Sequence, residues 1–436
     1  MSHDPTLFAE RRAEIARRMK AEGGGVMLLP AAVEKARNAD SEYLFRQDSD
    51  FAYATGFDEP EGCALLFADG RLVMFVRPKD PEREIWTGRR AGVEGARERY
   101  GAAEAWPAQE VDAKLAELVG GNDVLWYRIG HDPAWDARVA RTLCDLRARA
   151  RAGVLAPQRI VDPAIALHEM RLVKSEAELR LLRKAAEITA EAHLAAMRDG
   201  QAGRREYQVQ AEIEYAFRRR GGTGPGYGTI VAAGANSTIL HYRAGDAELR
   251  DGDVCLVDAG GEYGFYTADV TRTFPVSGEF TKAQREAYEV VLDAQRIGIE
   301  AVRPGANLDA MHDAVVKRLT EGMIALGLLQ GSADERIADK TYRKYYMHRT
   351  SHWLGLDVHD AGAYHVGGKP RALEPGMVLT VEPGLYVAAD DTAAPEALRG
   401  VGIRIEDDVL VTEQGHDVLT AGTPKVAAEV EACCVR

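Results

Sequence analysis

Hydrophobic positions in the first part of the chain come in short runs that are separated by turn signals. "GGGVMLLPAA" (23–32) is typical of a buried strand. "CALLFADGRLVMFV" (63–76) predicts a hairpin that turns at Asp69 and Gly70. Asp132 followed by Pro133 is typical of an N-cap and a first helical turn, and it predicts a helix through about residue 150. The mixture of strands and helices predicts an α/β domain.

The pattern changes near residue 170. Ser175-x-x-Glu178 is a capping-box sequence ahead of a long helical segment, and Thr281-x-x-Gln284 predicts a second helix start of the same kind. Strand pairs follow each of these helices, so helices and antiparallel strands occur twice in succession. We therefore predict an α+β chain, with a smaller α/β domain over 1–172 and a second domain over 173–436.

Composition narrows the class of protein. The 436 residues exceed one ordinary hydrophobic core, which favours two domains. The net charge of −13 disfavours nucleic acid, whose phosphates would be repelled. No segment is apolar for long enough to span a bilayer, and the N-terminus has no signal core, so we predict a cytoplasmic protein. Five cysteines without a C-x-x-C pair indicate neither a disulfide framework nor a thiolate zinc site.

Two aspartates occupy apolar surroundings in "VDAGGEYGFYTADVTRTF" (257–274). Asp258 and Asp269 are equidistant from a point between Tyr263 and Gly264, within the Gly-Glu-Tyr-Gly turn. A regular hairpin would place them opposite each other, with Cβ atoms about 4.5–5.5 Å apart. Two such charges destabilise a sheet unless a cation lies between them. The alternatives are one protonated aspartate that hydrogen-bonds the other, or a bulge that separates them.

Two later apolar runs each carry one glutamate. Glu382 lies in "VLTVEPGLYV", and Glu406 lies in "GVGIRIEDDVLVT", where Arg404 would share its face of a strand. An ion pair with Arg404 would be enough to explain Glu406 alone. Four acids on strands in the last 180 residues are harder to explain as separate ion pairs.

Four of the eleven histidines fall within "HRTSHWLGLDVHDAGAYH" (348–365). The spacing of His348 and His352 resembles that of a zinc protease helix, but Arg349 stands where that motif requires glutamate, so we reject the motif. Carboxylates with an imidazole suit Mn²⁺, with Co²⁺, Fe²⁺ or Zn²⁺ as alternatives. Four carboxylates exceed the charge of one divalent ion, which favours two ions and a dinuclear metallohydrolase that acts on an amide or ester.

The spacing of Asp258, Asp269, His352, Glu382 and Glu406 resembles the five-ligand site of the pita-bread metallopeptidases. "HRTSHWLGLDVHD" and "LEPGMVLTVEPGLY" resemble the proline-specific branch of that family, and "SEYLFRQDSDFAYATGFDEPEG" (41–62) resembles the N-terminal domain of bacterial aminopeptidase P. The resemblance implies a pita-bread catalytic domain in which all five residues are metal ligands. Asp269 and Glu406 would bridge the ions, and Glu382 would also move a proton.

The resemblance implies roles for further residues. His241 and His359 would hold the substrate and stabilise the tetrahedral intermediate, His348 would line the proline pocket, and Arg404 would tie the ligands together. Three residues would lie near a site, where ordinary packing or surface pairing is an equal alternative: Tyr386, Arg371 and Trp86, the last reaching its own site or that of a neighbouring subunit. Relatives often have glycine at the position of Arg349, which leaves the edge of the proline pocket open to question.

The implied reaction releases the N-terminal residue from a peptide with proline in second position, through attack of a metal-bridging hydroxide. A prolidase restricted to Xaa-Pro dipeptides is the nearest alternative, and a non-catalytic binding protein with the same fold is a more distant one. The resemblance also implies a homo-oligomer, either a dimer or a tetramer.

Overall fold

The structure, a computed structural model, describes residues 5–434. The chain divides into two compact units between Glu169 and Met170. The boundary predicted from the sequence, after residue 172, lies three residues further along the chain.

The first unit contains a six-stranded mixed sheet. Its helices are α1 (Pro5–Ala21), α2 (Ser49–Thr55), α3 (Pro81–Thr87), α4 (Gly92–Glu98), α5 (Val111–Val119) and α6 (Pro133–Ala148), followed at the division by α7 (Ala164–Leu172). Its strands are β1 (Val26–Pro30), β2 (Ala36–Asn38), β3 (Ser41–Glu42), β4 (Cys63–Phe67), β5 (Leu72–Val76), β6 (Glu104–Pro107), β7 (Val124–Trp126) and β8 (Arg159–Val161). The sheet order is β6-β5-β4-β1-β7-β8, and β2 pairs separately with β3.

The predicted elements of this unit are confirmed. β4 and β5 form the hairpin around Asp69 and Gly70, and the Asp132 side chain accepts hydrogen bonds from the first turn of α6. Strands β1, β4 and β5 are buried along almost their whole length, as their continuous apolar runs indicate. The unit is therefore an α/β domain with its core on both sides of the sheet.

The second unit combines long helices with small antiparallel sheets. Its helices are α8 (Glu176–Asp199), α9 (Glu206–Arg219), α10 (Lys282–Ala301), α11 (Leu308–Ala325), α12 (Ala333–Ala338) and α13 (Ala427–Cys434). Its strands are β9 (Gly224–Pro225), β10 (Ile230–Ala233), β11 (Val254–Asp258), β12 (Gly261–Tyr263), β13 (Tyr266–Thr267), β14 (Thr271–Pro275), β15 (His365–Val366), β16 (Lys369–Pro370), β17 (Val378–Val381), β18 (Gly384–Val387), β19 (Val401–Arg404), β20 (Asp407–Thr412) and β21 (Gly415–Val418).

Sheet pairing in this unit confirms the α+β prediction. The sheets are β10-β11-β14, β13-β12-β9, β17-β20-β21, β18-β19 and β15-β16. Every one of their pairings is antiparallel. Helix α8 packs with α9, and α10 packs with α11.

Both predicted capping boxes are present. The Glu178 carboxylate accepts hydrogen bonds from the Ser175 backbone N–H (2.9 Å) and hydroxyl (2.6 Å). It also accepts one from the Tyr266 hydroxyl at 2.7 Å. The cap of α8 is therefore tied directly to β13, in the hairpin that precedes Asp269.

The predicted register of that hairpin is wrong. Tyr263 pairs with Tyr266, and Asp258 pairs with Thr271 rather than with Asp269. The turn falls on Gly264 and Phe265, which both have positive φ (61° and 72°), as a two-residue type I′ turn requires. Moving the turn centre by one residue shifts each pairing by two. A shift by an even number of residues keeps each side chain on the same face of the sheet. Residues 268–270, however, lie between β13 and β14 and are not part of either strand.

A buried ion cluster lies beside β14. Arg272 is fully buried, and its guanidinium donates to Asp407 (2.7 Å) and to the backbone carbonyl oxygens of Glu406 (2.6 Å) and Thr423 (2.8 Å). Lys425 also donates to Asp407 at 2.7 Å. Burial opposes the charge of Asp407, but Arg272 and Lys425 outweigh that cost and lower its pKa to about 2.

Within residues 5–434, no helix has both the length and the apolar character that a bilayer-spanning helix needs.

Candidate metal centre

The four predicted acids lie at the ends of strands. Asp258 is the last residue of β11, while Asp269, Glu382 and Glu406 stand in short segments beside β14, β17 and β20. Backbone bonds fix these segments, because the Glu382 N–H donates to the Thr350 carbonyl and the Glu406 N–H donates to that of Thr271. Strand ends place carboxylates next to a buried sheet without requiring them to replace core side chains.

Three of the predicted ligands meet in one cluster. Asp269, His352 and Glu406 each offer a ligand atom, and these atoms all lie within 4.8 Å of one another. Nε2 of His352 is 3.3 Å from a carboxylate oxygen of Asp269 and 3.6 Å from one of Glu382. The acids predicted on separate apolar runs are thus brought together.

The tautomer of His352 suits metal binding. Its Nδ1 lies 3.0 Å from the Trp353 carbonyl oxygen, which can only accept, so Nδ1 carries the proton. In the neutral ring, Nε2 then presents its lone pair to the acids, as in a metal-ligating histidine. Burial opposes protonation, but the bond with Asp269 and the charges of Glu382 and Asp269 outweigh it, and the pKa rises to about 9. Without a cation the ring is therefore protonated at neutral pH, and a metal ion would have to displace the proton on Nε2.

Two glutamates in the cluster carry raised pKa values. Burial, opposed by His352 and reinforced by Asp269, raises the pKa of Glu382 to about 7. Burial and the carboxylates of Asp269 and Glu382 raise the pKa of Glu406 well above its usual range. Buried acids at such separations are costly as anions without a cation between them.

Asp258 is held from both sides. Its Oδ1 accepts from the Tyr227 hydroxyl at 2.7 Å, and its Oδ2 accepts from Arg404 at 2.6 Å. Arg404 therefore pairs with Asp258 and not with Glu406. The Thr271 hydroxyl links them, because it accepts from Arg404 Nε (3.0 Å) and donates to Glu406 (2.6 Å). Asp258 and Asp269 form no hydrogen bond with each other in the described chain.

A second chain of contacts runs through His348. Its Nδ1 lies 2.7 Å from the Arg349 carbonyl oxygen and therefore carries the ring proton. Its Nε2, which lies 2.9 Å from the Tyr386 hydroxyl oxygen, then accepts a hydrogen bond from that hydroxyl. Tyr386 in turn accepts from Arg404 at 3.1 Å. Burial and the nearby Arg404 lower the pKa of His348 to about 3, so the ring is neutral. Residues 345–352 form no α-helix, in agreement with our rejection of the zinc protease motif.

These groups share a cavity of about 970 Å³. His241 and His359 both line it, and the His359 ring packs edge-on against His352 with centroids 4.3 Å apart. Arg371 does not line the cavity. Its backbone N–H donates a hydrogen bond to the carbonyl oxygen of Tyr364, and Tyr364 does line the cavity. Trp86 lies in the other unit, on α3, with 86% of its surface exposed.

A further ion pair, formed by Arg349, lies on the cavity wall. Arg349 donates to Asp309 at the start of α11. His365, on β15, contacts the same carboxylate at 3.2 Å. Arg349, Asp309 and His365 all line the cavity, so this polar trio forms part of its wall.

Three supporting residues escaped the sequence analysis. Tyr227 and Thr271 hydrogen-bond Asp258 and Glu406. Asp408 accepts from the Asp269 backbone N–H, at 3.2 Å from each carboxylate oxygen, and burial with the neighbouring Asp269 raises its pKa well above the usual range. Thr271 and Asp408 stand two residues after Asp269 and Glu406, so strand alternation could have identified them. Tyr227 lies in a loop and gave no signal.

The donor set suits hard divalent cations. The cluster combines the carboxylates of Asp269 and Glu406 with the imidazole of His352, and the carboxylates of Asp258 and Glu382 line the same cavity. Burial makes the two glutamates costly as anions without compensating charge. Residues 180–413 match metallopeptidase family M24, and residues 8–126 match the aminopeptidase P N-terminal domain.

The chain belongs to metallopeptidase family M24. Among M24 relatives, the Xaa-Pro aminopeptidase of Escherichia coli is 45% identical, over 98% of this chain and 97% of its own length. The solved structure of Pseudomonas aeruginosa aminopeptidase PepP is 46% identical, with a TM-score of 0.96 over 99% of this chain and 98% of its own. The structure of Zn-substituted E. coli aminopeptidase P in complex with product is 44% identical and has a TM-score of 0.95. The match covers 99% of this chain and 98% of that one. The predicted pita-bread catalytic domain and the family resemblance are thus confirmed.

Proposed function

We propose that the protein is an Xaa-Pro aminopeptidase, which releases the N-terminal residue from peptides with proline in second position. The observation that carries this proposal is the cluster of Asp269, His352 and Glu406 in the wall of a peptide-sized cavity of an M24 chain. Full-length similarity to Xaa-Pro aminopeptidases supports it. We assign the N-terminal domain to 1–172 and the catalytic domain to 173–436, and a cytoplasmic location stays a prediction.

We propose that two divalent ions, Mn²⁺ in the native protein, are held by Asp258, Asp269, His352, Glu382 and Glu406. One ion would leave these acids undercompensated, because Arg404 is the only arginine or lysine that pairs with any of the four in the described chain. When bound, such ions lower the pKa of a water molecule and polarise the carbonyl of the bond to be cut.

We propose that Glu382 transfers the proton. Its two oxygens lie 3.6 Å from ring nitrogens of His352 and His348, and burial raises its pKa to about 7, which supports this role. In our proposal Glu382 takes a proton from the attacking water and gives it to the proline nitrogen. The amide thereby breaks into a carboxylic acid and a secondary amine.

The histidines on the cavity wall would position the substrate. His241 and His359, which both line the cavity, would offer ring N–H groups to the carbonyl oxygen as it gains negative charge. The neutral ring of His348, held by Tyr386, would present an apolar edge to the proline ring. We propose that Arg404 keeps Asp258 ionised and oriented, and that Arg371 supports the wall through Tyr364.

The chemistry of proline explains why a dedicated peptidase is useful. Its tertiary amide lacks an N–H, and its ring fixes φ. A peptidase that needs an N–H contact at this position rejects such a substrate, whereas a pocket shaped for the ring accepts it.

Assays of Xaa-Pro-Yaa tripeptides and Xaa-Pro dipeptides with added Mn²⁺ test the proposal. We expect release of free Xaa from the tripeptide and loss of this activity after chelation. A protein that cleaves dipeptides alone would be a prolidase. Absence of hydrolysis together with no bound metal by elemental analysis would support the non-catalytic alternative.

We propose that the protein is a homo-oligomer in which Trp86 of one subunit reaches the site of another. Ile85 and Trp86 on α3 are 81% and 86% exposed, which is unusual for large apolar side chains and favours a contact between copies. Mixing the Trp86→Ala and Asp269→Asn variants should restore activity after subunit exchange, because one site then has both intact residues. If activity stays at the level of the separate variants, Trp86 does not act between subunits.

A further inference from the structure

The cavity wall contains an arginine that has no protein partner among the residues that the structure describes. Three arginines line the cavity: Arg243, Arg349 and Arg404. Arg404 pairs with Asp258, and Arg349 pairs with Asp309. Among residues 5–434, no hydrogen bond or ion pair engages the side chain of Arg243. Its guanidinium is therefore available to a ligand.

The position of Arg243 relates it to the proposed metal centre. It follows His241 by two residues, and both line the cavity. Its guanidinium packs against Gly228, where a Cβ atom would overlap with Nη1 of Arg243. The preceding residue, Tyr227, donates its hydroxyl to Asp258. The missing side chain at residue 228 thus leaves room for a cation close to the acids.

The chemistry of this group selects an anion. A guanidinium presents a planar set of N–H donors that matches the two oxygens of a carboxylate. The existing acids of the cavity cannot serve as this partner, since Asp258 and Asp309 already pair with the other two arginines and the remaining three face His352. The partner must therefore come with the substrate.

A short peptide carries such a group close to the scissile bond. Beyond the scissile bond a tripeptide has two residues, which extend at most about 7 Å. Its C-terminal carboxylate therefore stays within a cavity of about 970 Å³. A longer or amidated peptide presents a neutral amide at the same place.

We propose that Arg243 binds the free C-terminal carboxylate of Xaa-Pro-Yaa tripeptides and so makes them preferred substrates. This inference rests on the proposed aminopeptidase activity, which it deepens. Arg243 acts on substrate binding and takes no part in bond cleavage. Its removal should therefore change KM much more than kcat.

The test compares Xaa-Pro-Ala with Xaa-Pro-Ala amide on the Mn²⁺-loaded full chain. For Arg243→Met, we expect KM for the acid to rise about tenfold, as loss of one charge-assisted hydrogen bond predicts. KM for the amide and both kcat values should stay within about twofold of wild type. Arg243→Lys keeps the charge without the planar fork and should give an intermediate KM for the acid. Arg303→Met, an exposed arginine outside the cavity, is the control and should change neither substrate.

Three outcomes distinguish the possible failures. If Arg243→Met leaves the ratio of the two KM values unchanged while wild type cleaves both peptides, the inference is wrong and the proposed function stands. If wild type cleaves neither peptide, the proposed function fails. Xaa-Pro-Glu amide and Xaa-Pro-Gln amide form the last arm. If Arg243→Met raises KM for Xaa-Pro-Glu amide but not for the free acid Xaa-Pro-Ala, Arg243 binds a side-chain carboxylate, and the assignment to the C-terminus is wrong.

Binding without turnover gives an independent readout. In a Glu382→Ala background, calorimetric titration with Xaa-Pro-Ala should show affinity about tenfold weaker when Arg243→Met is added. The amide should bind both proteins equally. Equal affinity for the acid would contradict the proposed contact even if the kinetic constants differed.

Discussion

Replacing Asp269 with asparagine is expected to lower kcat/KM by at least about 10³-fold, or ~4 kcal/mol of transition-state stabilisation. Asp269 lies in one cluster with His352 and Glu406, so an amide in its place removes a negative charge that would help to hold the proposed ions. The substitution preserves volume, and the folded protein should be recovered in normal yield. Steady-state assays with Mn²⁺ and an Xaa-Pro-Yaa peptide give the comparison.

The same substitution at Asp309 provides the matched control. Asp309 lines the same cavity but pairs with Arg349 and lies outside the cluster. We expect Asp309→Asn to change kcat/KM by only a few fold. The rise in Tm on adding Mn²⁺ should persist in Asp309→Asn and shrink in Asp269→Asn, because a ligand stabilises only a fold that binds it. Equal activity of Asp269→Asn and wild type would remove Asp269 from the proposed centre.

Replacing Arg272 with methionine is expected to destabilise the fold by about 3–5 kcal/mol. The methionine fills much of the buried volume but leaves Asp407 without its main partner and several buried carbonyl oxygens without a donor. Lys425 continues to contact Asp407, so part of the compensation remains. Chemical denaturation of the chelated protein would measure the loss of unfolding free energy.

Arg183 gives the control for this prediction. It forms an ion pair of similar length with Asp417 (2.6 Å), but both side chains are more than two-fifths exposed. Arg183→Met should cost at most about 1 kcal/mol, because water screens the pair and solvates either partner alone. If Arg272→Met and Arg183→Met lost the same unfolding free energy, the buried ion cluster would contribute no more to stability than an exposed ion pair.

The helix starts and the first hairpin could be predicted because their signals are local. Ser175 with Glu178, and Asp132 with Pro133, satisfy the first N–H groups of a helix within a few residues of chain. The register around Phe265 could not be predicted, since positive φ is uncommon for a large aromatic residue. Only the packed hairpin, whose strands must meet their neighbours in register, shows why that conformation is adopted.

The acids of the site stand out because apolar runs rarely contain unpaired carboxylates. That contrast is enough to single out Asp258, Asp269, Glu382 and Glu406 from the amino-acid sequence. The partner of Arg404 is a different matter. Proximity in sequence favours Glu406, whereas the guanidinium reaches across to Asp258, on a strand 146 residues away. Contacts at such separations follow from the packing of sheets, and no local pattern encodes them.

The position of the cluster at the ends of separate strands has a consequence for the unfolded chain. Asp269, His352 and Glu406 belong to segments that are far apart in sequence and meet only when their sheets have formed. A cation held jointly by these residues would close two long loops, from 269 to 352 and from 352 to 406. Like a disulfide, it would reduce the conformational freedom of any partly opened state. The ions proposed for the chemistry would thus also serve as removable cross-links between distant parts of the chain.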